Sequence, residues 1–94
     1  MIKNTDYRYS IEKMCSNELI LHMKNTHGLS EAESEVIFHV LKGRSLSEIS
    51  DIKKINYKTV SIHKRNAYEK IGTKTDIEFM YNVFSYYLSH LRTI

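Results

Sequence analysis

The chain contains no proline, no tryptophan and only three glycines, Gly28, Gly43 and Gly72. A strand-rich sandwich or barrel needs many more turn residues, so this shortage favours helices. A single cysteine, Cys15, cannot close an internal disulfide, which points to a reducing, cytoplasmic setting. No apolar run approaches the ~20 residues that cross a bilayer. The first six residues, Met1 to Asp6, lack the basic-then-apolar layout of a secretion signal. No membrane partner is therefore expected. Also missing are a GxGxxG or P-loop phosphate cradle, a nucleophile elbow and a paired-carboxylate layout. We expect no catalysis and no cofactor. Cys15, His22 and His27 lack a fourth ligand at sensible spacing, so no metal is expected either. No internal repeat or low-complexity tract occurs.

What is present fits one small helical domain. Ninety-four residues, 41% hydrophobic and 27% charged, support a modest core of three or four helices. The net charge of +3 is small, but its distribution is uneven. Residues 53–74 hold seven basic side chains against one acid, Glu69, a net of +6. Residues 30–51 hold five acids against two bases, a net of −3. Positive charge gathered in one segment suits a face that meets a polyanion; a solvated surface helix is the alternative.

Helix signals place four elements after Gly28. Ser30 and Glu33 have capping-box spacing, and Ala32, Val36, Ile37, Val40 and Leu41 follow at helical intervals up to Gly43. Ser45 and Glu48 form a second box, opening a short helix to about Lys53. Leu46 and Ile49 face inward there, with Ile52 or Ile55 completing the contact. Asn56 is a good N-cap for a third helix, in which Val60, His63, Ala67 and Ile71 share one face and Gly72 ends the run. Thr75 and Glu78 suggest a third box. The helix that follows is apolar on more than one face, which calls for a partner. Before Gly28 the pattern is weaker. Tyr7, Tyr9 and Ile11 alternate as a strand would, yet Ile11, Met14, Cys15 and Leu19 favour a helix from about Ser10 to Lys24. We divide the chain into an extension, residues 1–28, and a helical domain, residues 29–94.

Two short helices joined by a tight turn, the second basic outside, match the helix-turn-helix design across Leu46 to Ile71. The second helix must be anchored along one face so that the other enters a groove about 12 Å wide. The order Leu29-Ser30, Glu33, Glu35-Val36, Leu41, Gly43, Ser45, Glu48-Ile49, Thr59-Val60, His63, Lys70-Ile71-Gly72 and Glu78 resembles the LuxR/NarL-type helix-turn-helix domain. It covers a little over half the chain, nearly without gaps. Lys64-Arg65-Asn66-Ala67 and Thr75-Asp76-Ile77 are similar to the DNA-binding half of the Rcs capsule-phosphorelay response regulator.

The resemblance implies an all-α, four-helix domain of a dimeric transcriptional regulator that binds double-stranded DNA. It implies base reading by Ser61, Ile62 and Arg65. It implies phosphate contacts from Lys58, Thr59, His63, Lys64 and Lys70. It implies a dimer contact on the last helix, through Phe79, Met80, Val83, Phe84 and Tyr87. The alternative is an auxiliary module that pairs with a larger regulator through that helix. His63 lies on the packed side, where a histidine bonded to backbone is the competing reading. The chain departs from the family pattern at Lys53 and Lys54, where an apolar residue and glycine are usual, at Ala67, where a large aliphatic is usual, and in the aromatic last helix. With only 28 residues ahead of the domain, control through an attached receiver is not expected.

Overall fold

The computed structural model describes residues 17–92, without the side chains of residues 87 and 90–92. Five helices follow one another: α1, Asn17–His27; α2, Glu31–Leu41; α3, Leu46–Lys53; α4, Tyr57–Ile71; and α5, Asp76–Arg92. No strand occurs among the described residues. The architecture is all-α.

Local chemistry sets the helix starts. Ser30 Oγ accepts from the Glu33 amide at 3.1 Å, and Glu33 Oε1 accepts from the Ser30 amide at 2.9 Å. Ser45 and Glu48 repeat the arrangement at the same distances. Each reciprocal pair satisfies two amides that the helix leaves free. At Asn56, Oδ1 accepts from the Lys58 amide at 2.7 Å. Thr75 Oγ1 accepts from the Glu78 amide at 3.1 Å, but Glu78 makes no return bond, so the third box is only half formed among the described residues.

The ends are equally local. Gly43 and Gly72 stand at φ +82° and +87°, and the Gly72 amide donates to the Tyr68 carbonyl at 2.9 Å. After α3 the left-handed position falls to Lys54, at φ 56°, with a Cβ to accommodate. A lysine thus holds the left-handed position where the resemblance led us to expect glycine. Ser50 steadies this turn: its carbonyl accepts from the Ile55 amide at 3.2 Å, and its hydroxyl donates to the Ile55 carbonyl at 2.5 Å.

Two apolar clusters hold the helices together. Val36, Ile49 and Val60, one from each of α2, α3 and α4, are fully buried against Leu46 and Ile55. Ile55 therefore completes the α3 contact, whereas Ile52 is 51% exposed. The larger cluster joins Leu19 and Met23 of α1 to Leu29, Ile37, Leu41, Ala67, Tyr68, Phe79 and Val83. Val40 packs against both clusters and links them. Ala67 and Tyr68 are both buried in this cluster, and the Tyr68 ring is stacked on Phe79 at 5.0 Å. Helix α1 runs three residues beyond the expected Lys24, to the point where Gly28 turns left-handed at φ +67° and the Leu29 amide donates to the Lys24 carbonyl at 3.0 Å. The expected start near Ser10 lies outside the described residues. Leu19 and Met23 make α1 part of the same core as the domain it precedes.

Candidate nucleic-acid interface

Helices α3 and α4 with the turn at residues 54–56 form a helix-turn-helix. Val60 and Ala67 are fully buried and Tyr68 is 6% exposed, so α4 is anchored along most of its length. Its other side carries Tyr57, Lys58, Ile62, Arg65 and Glu69, all exposed, with Ser61 half-buried among them. These positions recur at three- and four-residue intervals and share one face. Thr59 is exposed beside that face and His63 is half-buried at its edge. The N-terminal turn of α4 contributes free amides and the positive end of the helix dipole, both suited to a phosphate.

The fold sorts the basic segment into bound and free cations. Lys53 pairs with Glu35. Lys64 Nζ lies 2.9 Å from Asp76 and 5.3 Å from the centre of the Tyr68 ring. Lys70 Nζ lies 2.7 Å from Glu33 and donates to the Gly28 carbonyl at 3.3 Å. Lys54, Lys58, Arg65 and Lys74 have no acidic partner among the described residues. Lys64 and Lys70, both expected at phosphates, are paired in the free chain, Lys64 with the exposed Asp76 and the exposed Lys70 with the buried Glu33. Of the predicted readers, Ser61, Ile62 and Arg65 lie together on the open face with Lys58. Lys54 and Lys74 were not singled out by the sequence, although both were counted in its charge excess.

The paired carboxylates respond as expected. The Tyr68 hydroxyl, 2.7 Å from Asp76, and the Lys64 ammonium hold the Asp76 carboxyl below its ordinary value. Burial, then the Asp76 carboxylate, raises the Tyr68 phenol well above the usual range. Burial works against ionising Glu33, but the Lys70 and Ser30 bonds outweigh it and leave that carboxyl lowered. Beside α4, an open groove of about 530 Å³ runs between Ser61, Arg65 and Glu69 and the α4–α5 loop at Lys74 and Thr75.

On α5 the predicted contact residues divide. Phe79 and Val83 are 0% and 2% exposed. Their assignment to a dimer face is corrected: spaced four apart, they point back to α1 and α4 and close the core. Met80 and Phe84 are exposed, in line with Ile77, Tyr81 and Leu88, which the sequence had left unassigned. The Tyr87 side chain lies outside the described residues. His22 stacks on Tyr86 at 4.3 Å, closing the α1 side of α5.

An anchored helix with a free cationic face, preceded by a short helix and a tight turn, defines a helix-turn-helix protein of the nucleic-acid-binding class. Residues 27–81 match the bacterial regulatory proteins of the luxR family, and the chain belongs to that family. It is similar to an uncharacterized HTH-type transcriptional regulator, YuaB, of Escherichia coli (strain K12), with 38% identity over 64 residues, 68% of this chain and 18% of that protein. It is also similar to the transcriptional regulatory protein TdiR of Thauera aromatica, at 34% over 67 residues, 71% of this chain and 30% of that protein. A third relative, the cyclic di-GMP phosphodiesterase PdeL of Escherichia coli (strain K12), is 27% identical over 86 residues, 92% of this chain and 23% of that protein. The chain thus spans less than a third of the length of each of these relatives. No solved structure matches it.

Proposed function

We propose that the protein is a sequence-specific transcriptional regulator that binds double-stranded DNA as a homodimer in the cytoplasm, and that this chain carries no catalytic role. The observation that carries this reading is the rigid packing of α4 through Val60, Ala67 and Tyr68 beneath an open face of Lys58, Ser61, Ile62 and Arg65. In this reading α4 enters the major groove. Arg65 grips guanine O6 and N7 with two hydrogen bonds, Ile62 meets a thymine methyl and Ser61 bonds a neighbouring base edge. Lys58, Thr59 and His63, with Lys54 and Lys74, lie along the phosphates. Membership of the luxR family supports the reading, as do two relatives named as transcriptional regulators.

The dimer contact is the exposed α5 stripe of Ile77, Met80, Tyr81, Phe84 and Leu88, which recurs at helical spacing over three turns. That much apolar surface on one small helix also fits a larger regulator as the partner. Sedimentation separates the two: self-association at micromolar concentration supports the homodimer, whereas a persistent monomer supports the heterodimer.

Random-site selection on duplex DNA with the purified protein tests the reading as a whole. A two-fold-related site is expected. In gel shifts on that site Arg65→Ala loses sequence preference, while Lys58→Ala weakens all duplexes alike. Recovery of no enriched site would overturn it.

A further inference from the structure

Glu69 is out of place electrostatically. It is the one acid among residues 53–74. The other carboxylates that meet this segment are neutralised by it: Glu33 by Lys70, Glu35 by Lys53 and Asp76 by Lys64. Glu69 is exposed and has no hydrogen-bond or ion-pair partner among the described residues. It stands one helical turn beyond Arg65 and two beyond Ser61, lining the same groove. Arg65 does not close a salt bridge to it, and a cation four residues ahead of an acid is the weaker order for such a pair on a helix.

A free carboxylate beside phosphates lowers affinity for every DNA sequence. Its effect turns favourable only where it meets hydrogen-bond donors. Base edges in the major groove offer two, the amino groups of adenine and cytosine. Adenine's amino group sits beside the N7 acceptor, which repels a carboxylate. Cytosine presents its amino group without that neighbour. Guanine and thymine present acceptors at the corresponding edge and are disfavoured.

We propose that Glu69 is a specificity-determining residue that accepts a hydrogen bond from a cytosine amino group. The inference rests on the DNA-binding reading above. Four residues of helix rise about 6 Å, against about 3.4 Å per base step. The cytosine therefore lies one or two base pairs from the base held by Arg65. Glu69 trades general affinity for discrimination at that position.

The test is site selection followed by competition gel shifts, using wild-type protein, Glu69→Gln and Glu69→Ala on duplexes that differ at single positions. Wild type is expected to prefer cytosine by about tenfold at one position near the Arg65-dependent base. Both variants should bind the average duplex more tightly and keep the Arg65-dependent preference; Glu69→Ala should lose the cytosine preference, and Glu69→Gln, whose amide both accepts and donates, should shift it toward adenine. Uniformly tighter binding with an unchanged site would overturn the proposal, leaving Glu69 a solvated charge. Loss of the Arg65-dependent base as well would also overturn it, because Glu69 would then act by positioning Arg65. If wild type binds no duplex, both this inference and the DNA-binding reading fall; if it selects a site that ignores Glu69, only this inference does.

Discussion

Lys54 adopts φ 56°, a conformation that costs a residue with a Cβ about 1–2 kcal/mol relative to its right-handed form. Replacing it with glycine removes that cost, while glycine's greater freedom in the unfolded chain offsets part of the gain. Lys54→Gly should therefore stabilise the protein by about 0.5–1 kcal/mol, a rise in melting temperature of a few degrees that calorimetry would detect. His39 provides a second test at this scale. Its Nδ1 lies 2.8 Å from an Arg44 guanidinium nitrogen, so the neutral ring accepts the bond. Partial burial, and then the Arg44 charge, hold its pKa below the ordinary value. The unfolded chain consequently takes up this proton more readily than the folded one. The stabilisation is complete above about pH 6.5 and is lost as pH falls toward the lowered folded value. The drop in melting temperature between pH 7.5 and 5.5 should be smaller in His39→Gln than in wild type. The lowered carboxyls of Glu33 and Asp76 act only at lower pH, below about 4.5, and do not confuse the comparison.

Between elements, the decisive contacts join positions far apart in the chain. Lys70 at the end of α4 meets Glu33 in the first turn of α2, and Glu33 is only 6% exposed. Lys70→Ala leaves that carboxylate without its cation and should destabilise by about 1–3 kcal/mol, as read from denaturant unfolding. Phe79→Ala should cost about 3–5 kcal/mol by opening a cavity against Tyr68. Phe84→Ala, on the exposed side of α5, should leave monomer stability nearly unchanged and weaken self-association instead. Such contacts explain what the sequence revealed and what it did not. The helix starts at Ser30, Ser45 and Asn56 were legible because a cap is made by residues two or three apart. The anchoring of α4 was legible at Val60 and Ala67 because periodicity marks one face. Tyr68 was missed because its partners, Phe79 and Asp76, belong to the next helix and only packing brings them to it. The engagement of Lys64 and Lys70 was hidden for a related reason: 37 residues separate Lys70 from Glu33, and charge counting treats every lysine alike. The rotational phase of α5 was also hidden, since a helix apolar on several sides does not declare which side is inside.

For the molecule as a whole, folding converts a diffuse charge excess into a directed one. Three lysines of the basic segment are consumed in tying α3 and α4 to α2 and α4 to α5, and four cations of that segment remain without an acidic partner around the open face of α4. Leu19 and Met23 bring α1 into the same core, so residues 17–27 act as a brace for the domain. The exposed apolar stripe of α5 and the cationic face of α4 lie on different helices. Affinity for duplex DNA should therefore follow the number of free cations and be indifferent to the paired ones. The salt dependence of duplex binding, followed by fluorescence anisotropy for wild type, Lys58→Ala and Lys70→Ala, measures this most directly. We expect the logarithm of the affinity to fall linearly with the logarithm of salt, with a slope of about −3 to −4 per protomer; Lys58→Ala should reduce it by about one and Lys70→Ala should leave it unchanged. A slope near zero for wild type, or equal flattening by both variants, would contradict the account.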